Sequence, residues 1–107
     1  MKKFGARLYS ILPGKEDVWK TWCEELQTTH AEAARQTLRD EGASIEGFVA
    51  FWIDGKMFTL GFAEGELLVA DQNKELNRLH REKKMACLGT PMDVESLYIL
   101  KADEEKI

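Results

Sequence analysis

Between residues 47 and 65 the chain reads GFVAFWIDGKMFTLGFAEG, two apolar runs around one polar break. Asp54-Gly55 at that break predicts a two-residue type I′ hairpin turn, whose central residues both need positive φ. The turn sets the register: Ile53 faces Lys56, Trp52 faces Met57, Phe51 faces Phe58 and Ala50 faces Thr59. Side chains alternate across a strand. One face therefore collects Val49, Phe51, Ile53, Phe58, Leu60 and Phe62, and the other Glu46, Phe48, Ala50, Trp52, Met57, Thr59 and Gly61. Neither reads as a solvent face. A strand with one wet side alternates apolar with polar residues, so this hairpin predicts cover on both sides.

The flanking segments supply the other elements. Residues 4 to 11, FGARLYSI, read as a strand that Pro13-Gly14 stops. In KEDVWKTWCEEL the apolar positions Val18, Trp19, Trp22, Cys23 and Leu26 recur at three and four, the period of a helix. Acidic Glu16 and Asp17 suit its first turn. Trp19 and Trp22 do not share one line of that helix, and one of them is expected to stay partly exposed. The pattern lapses at QTTH, where Thr29 followed by Glu32 matches a capping box and predicts a kink before a segment running from Ala31 to Glu41. Gly42 supplies the left-handed stop. Residues 66 to 87 predict the second long helix, with Leu76, Leu79, Lys83, Ala86 and Cys87 along its inner face. Gly89-Thr90-Pro91 breaks it, VESLYIL from 94 to 100 predicts the last strand, and the acidic end, residues 102 to 107, is expected to fray.

The order strand, helix, strand, strand, helix, strand predicts an α+β fold of ferredoxin-like βαββαβ type in one domain, residues 1 to 107: a four-stranded antiparallel sheet with both helices on one face. The helices are assigned to the Val49, Phe51, Phe58, Leu60 side. That leaves Phe48, Trp52 and Met57 bare, a larger apolar patch than a soluble monomer tolerates. A second copy of the same sheet, related by a two-fold axis, closes it. The expectation is a homodimer in the form of an α/β barrel, with an interface above the roughly 1,600 Å² of a standard complex.

Composition narrows the partners. The net charge is -4 with acids spread along the chain, which excludes the basic stripe that nucleic acid requires. No apolar stretch approaches the roughly 20 residues of a membrane span. The basic start is followed by Arg7, which interrupts any signal-peptide core, so a cytoplasmic location is expected. Cys23 and Cys87 lack metal or redox spacing and read as reduced thiols; a bond between them stays open if their helices lie side by side.

The stretch LRDEGASIEGFVAFWIDGKMFTLGFAE, together with the element order, resembles the small dimeric α/β-barrel superfamily. Within it, GKEDVWKTW and LHREK are similar to an uncharacterised bacterial family of about this length. A more distant likeness is to the L-rhamnose mutarotases, in a kinked first helix ending in a Gly before an apolar hairpin. The mutarotase resemblance implies a histidine near Gln27 and an Ile-Trp-Pro segment. This chain has neither there, since TTHAEAARQT holds no Trp-Pro, and His30 lies three residues on.

Candidate chemistry is sparse. No phosphate loop, GxSxG elbow, HExxH or zinc-type cluster occurs, and neither a metal nor a cofactor is expected. The candidate proton-exchanging residues are His80, His30 and Glu46; imidazole titrates near neutrality, which makes His80 the first choice. Arg7, Tyr9, Trp52, Thr59 and Tyr98 are the candidate ligand-binding residues of a barrel lumen. Each has a plainer role open to it: Trp52 in the dimer core, Arg7 and Glu46 as an ion pair, the two tyrosines at an interface rim, His80 on a helix surface. The leading function is therefore a small polar organic ligand bound in the lumen. The alternatives are a cofactor-independent isomerase of mutarotase type, a non-catalytic assembly or partner-binding module with a filled lumen, and a cofactor-free monooxygenase.

Overall fold

The structure, a computed structural model, describes residues 3–103. It is α+β, with a four-stranded antiparallel sheet and three helices: β1 (Lys3–Ser10), α1 (Glu16–Gln27), α2 (Ala31–Asp40), β2 (Ala43–Ile53), β3 (Lys56–Gly65), α3 (Glu75–Cys87) and β4 (Met92–Asp93). The strand order is β2-β3-β1-β4. No helix among the described residues is long and apolar enough to cross a membrane.

The central hairpin has the expected register, from Ala50↔Thr59 to Ile53↔Lys56. Its turn carries φ of 50° at Asp54 and 76° at Gly55, both in the left-handed region. The first helix is broken as expected, but not by a capping box. Thr28 donates its hydroxyl to the Glu24 carbonyl (2.9 Å) and the His30 N–H bonds back to Glu25 (2.9 Å). His30 then caps α2 without any side-chain bond to its backbone.

Four expectations are corrected. The two sheet faces are exchanged: the helices lie on Met57 and Thr59, both fully buried, with Phe48 packed against the same core. Val49 (50 % exposed) and Ile53 lie on the bare side, with the stacked Phe51 and Phe58 rings (centroids 5.6 Å apart). Two apolar faces of period two carry no sign that tells which one the crossovers will cover. Both Trp19 and Trp22 are buried, at 2 % and 1 %, because Trp19 packs on Phe48 of the sheet while Trp22 turns to His80 of α3. The third helix begins at Glu75 rather than at 66. Leu67 takes a positive φ of 56°, and the Glu66 and Leu68 N–H groups bond the Gly42 and Glu41 carbonyls instead of building a helical turn. Finally, the last strand shrinks to Met92–Asp93, paired with Leu8 and Arg7. Residues 94–100 pair with no strand, and Leu97 and Leu100 are more than four-fifths exposed. The expected frayed end falls mostly on residues 104–107, outside the described ones.

The core unites four sources, one of them Met57 of β3. Tyr9 and Ile11 come from β1 and its end, Trp19 and Trp22 from α1, Cys87 and Leu88 from the end of α3. Backbone bonds lock this corner: the Leu12 N–H reaches the Cys87 carbonyl (2.8 Å) and the Gly89 N–H reaches Ser10 (2.8 Å). Phe48 crosses the neighbouring strand over Gly61, where a Cβ would stand 2.6 Å from its ring. Only glycine permits that approach. The ring then meets Trp19 edge-on, with centroids 5.1 Å apart.

Candidate functional site

A cavity of about 740 Å³ opens between the end of α1, α2, the start of β2 and α3. Its walls follow from helical spacing. Leu76, His80 and Lys84 stand four apart on α3, with Asn77 and Arg81 on the adjoining row, while α2 contributes Ala31, Ala34, Arg35 and Leu38. Phe48 and Glu46 close it from the edge strand, and Glu41 from the corner between α2 and β2. The volume lies within the usual range of small-molecule sites. Lys74 on the approach to α3 pairs with Asp40 at the end of α2, tying the two helical walls together.

His80 is the best-defined polar group. The Trp22 Nε1–H donates to its Nδ1 at 2.9 Å. A neutral imidazole has one donor and one acceptor nitrogen, so the hydrogen sits on Nε2. The ring lies near those of Trp19, Trp22 and Phe48, with centroids 6.0 to 6.4 Å apart. Burial, and then the nearby Lys84 ammonium, lower its pKa to about 4. At neutral pH His80 is thus an uncharged donor rather than the near-neutral proton carrier that an ordinary imidazole would be.

The carboxyls shift the other way. Burial raises Glu41 above its ordinary value, reinforced by repulsion from Glu46 and Asp40 and opposed by Lys84. Glu46 is exposed along much of its length at the sheet edge, yet enough protein surrounds its carboxyl to raise its pKa, again against Lys84. Cys23 also lines the cavity, and burial followed by the neighbouring Cys87 pushes its thiol up to about 11. Such a thiol is a poor nucleophile. Both cysteines are free.

The candidate residues separate accordingly. Glu46 and His80 line the one cavity. His30 lies behind it, its ring 5.7 Å from that of Trp22. None of the five candidate ligand contacts is there. Tyr9 and Thr59 are core residues under the helices, Thr59 donating to the Val49 carbonyl (3.1 Å). Arg7 sits exposed on β1 opposite Gly61, and Tyr98 is 81 % exposed in the unpaired C-terminal segment. Trp52 overhangs the helices near the hairpin tip, where the Lys20 ammonium lies 5.4 Å over its ring. The lumen face expected to hold these residues is the face the helices cover. Arg35, Glu41, Arg81 and Lys84 were missed because polar positions on a helix read as solvated until a second wall stands opposite. The repeat Leu76, His80, Lys84 was the available pointer.

The buried imidazole makes stability depend on pH. Between pH 6.5 and about 4 the unfolded chain binds a proton on His80 that the folded chain refuses. Stability therefore falls as pH drops through this window and levels off below it. The imidazole alone removes up to about 3 kcal/mol. Glu41 and Glu46, with raised folded values, act in the opposite sense. In urea unfolding at pH 7 and pH 4, the wild type should lose more stability than His80→Gln. Equal losses would contradict the buried, neutral ring.

No protein-family model, curated protein or solved structure matches the chain.

Proposed function

We propose that this chain binds a small polar organic ligand in the cavity beside His80, and that it acts as a homodimer closed through the bare sheet face. The observation that supports the first part is the cavity itself, in which apolar walls at Phe48, Leu76 and Leu38 surround an uncharged imidazole donor and a few charged groups. That mixture is typical of organic ligand sites. Binding takes place between helices and edge strand rather than in a lumen between two sheets.

The second part keeps the barrel reading with the sheet turned over. In the strand order β2-β3-β1-β4 we read the ferredoxin-like arrangement, with helices on one side. Val49 and Ile53 are half exposed on the other side, in one apolar patch with the partly buried Phe51, Phe58 and Leu60. A second copy of this face removes that patch from water. Val49→Asp tests the arrangement. It places a carboxylate on an already half-exposed site, so the fold persists, while two-fold symmetry buries the charge twice. Light scattering should give twice the protomer mass for the wild type and a single protomer for the variant, with at least a 100-fold weaker dimer. A wild-type monomer, or an unaltered V49D dimer, would reject this interface.

A second reading rests on Glu46 and His80 sharing the cavity: a cofactor-independent isomerase of mutarotase type. There the Glu46 carboxyl, with its raised pKa, would exchange the proton, and the neutral His80 would polarise the sugar oxygen through its Nε2–H. Sugar-anomer exchange followed by NMR, with His80→Gln and Glu46→Gln as controls, decides it. A rate no faster than buffer leaves binding alone.

A further inference from the structure

Resting on the cavity being a ligand site, we infer that its ligand is a small organic anion, a carboxylate carried on an apolar body, held between Arg35 and Arg81 with its body against Phe48. The cavity is rich in donors that the protein does not use. Nδ1 of His80 is occupied by the Trp22 N–H, which leaves the Nε2–H as a donor without a protein acceptor among the described residues. Arg81 and Lys84 have no carboxylate within ion-pairing distance among those residues. Arg35 meets only Glu32, at 3.8 Å, and both side chains are more than 60 % exposed, so that pair is weak.

Arg35 on α2 and Arg81 on α3 enter the cavity from its two helical walls. Guanidinium groups match carboxylate oxygens two at a time, which gives orientation as well as attraction. The competing attraction is for a cation, from Glu41 and Glu46. Those two carboxyls sit on the β2 side, repel one another and share Lys84. Three cations, Arg35, Arg81 and Lys84, thus line the cavity against two carboxyls. The remaining wall is apolar, with Leu26, Leu38, Phe48 and Leu76, and favours a hydrocarbon body over a bare inorganic ion. A ring system of two fused six-membered rings fits the volume.

The test uses the whole chain and three probes of one shape: 2-naphthoate, 2-naphthamide and 2-naphthylmethylamine, titrated by amide and indole N–H NMR. The naphthoate is expected to move resonances of α2, α3 and the Trp22 indole, and to bind at least tenfold more tightly than the amide or the amine. Arg81→Gln, at an exposed position that the core does not use, should weaken the naphthoate about tenfold more than the amide, and an equal loss for both probes would overturn the anion. Equal or tighter binding of the amide or the amine at the same resonances overturns the anion and leaves the cavity as a ligand site. If none of the probes moves a cavity resonance at millimolar concentration, both the anion and the ligand-site reading fall.

Discussion

Gly65→Ala is expected to destabilise the protein by about 4 kcal/mol. Gly65 is buried at φ 144°, a backbone region that residues with a Cβ rarely enter. A Cβ there would stand 2.1 Å from the Gly42 carbonyl oxygen and 2.6 Å from the Ala43 Cα. Both are main-chain atoms, so no side chain can swing aside. The strained backbone costs about 1–3 kcal/mol and the overlap a similar amount. The position also joins three strands at one end of the sheet, since Gly65 pairs with Lys3 on one side and Ala43 on the other. Gly14→Ala is the control: its φ is 81°, but its Cβ would meet nothing within 4 Å. That change should cost only about 1 kcal/mol. Urea unfolding compares the two midpoints. If G65A unfolds no more easily than G14A, the tight corner between β2 and β3 is not what holds the sheet's end.

Trp22→Ala should cost about 3–5 kcal/mol, the usual penalty for emptying a large buried aromatic site. The ring is 1 % exposed and lies within 6.0 Å of both His30 and His80, measured between centroids. Its loss also strips His80 Nδ1 of its donor, leaving a half-buried acceptor without a partner. Trp22→Phe separates the two effects. It keeps most of the volume and removes the N–H, and its cost should be about 1–2 kcal/mol. Thermal unfolding supplies both numbers. A Phe variant as damaged as the Ala variant would show that the N–H···N bond, rather than the packing, dominates this site.

Reading the chain without coordinates reaches some of this and misses the rest for identifiable reasons. Local rules hold where local forces decide: Asp54-Gly55 set the hairpin register, and Gly42 ends α2 with a φ of 67°. Periodicity places Trp19 and Trp22 on a helix but leaves one of them partly exposed, whereas Trp19 meets Phe48 of the sheet and Trp22 meets His80 of α3, so two neighbours bury two stripes. It also placed a helix start at residue 66, where the Gly42 and Glu41 carbonyls, far away in sequence, capture the N–H groups instead. The strand expected at 94–100 has suitable residues, yet pairing with β1 stops at Asp93 and the chain leaves the open edge of Lys3–Ala6 unused, a choice that strand propensity does not encode. Of the site, His80 and Glu46 were visible by type. The cations opposite them were not, because a charged residue on a helix looks the same whether it faces bulk water or a cavity.

The place of Phe48 on Gly61 makes the two walls of the cavity unequal. Its ring serves the core and the cavity together, wedged against the neighbouring strand and met edge-on by Trp19. The floor is thereby tightly packed. The α2 wall is different: it has no fully buried residue, and a break at Thr28–His30 joins it to α1. Such a segment opens locally at far less expense than a core helix. Amide exchange should therefore reach α2 through local opening well before it reaches the strands beneath Phe48, so the two walls of one cavity differ in how long they persist.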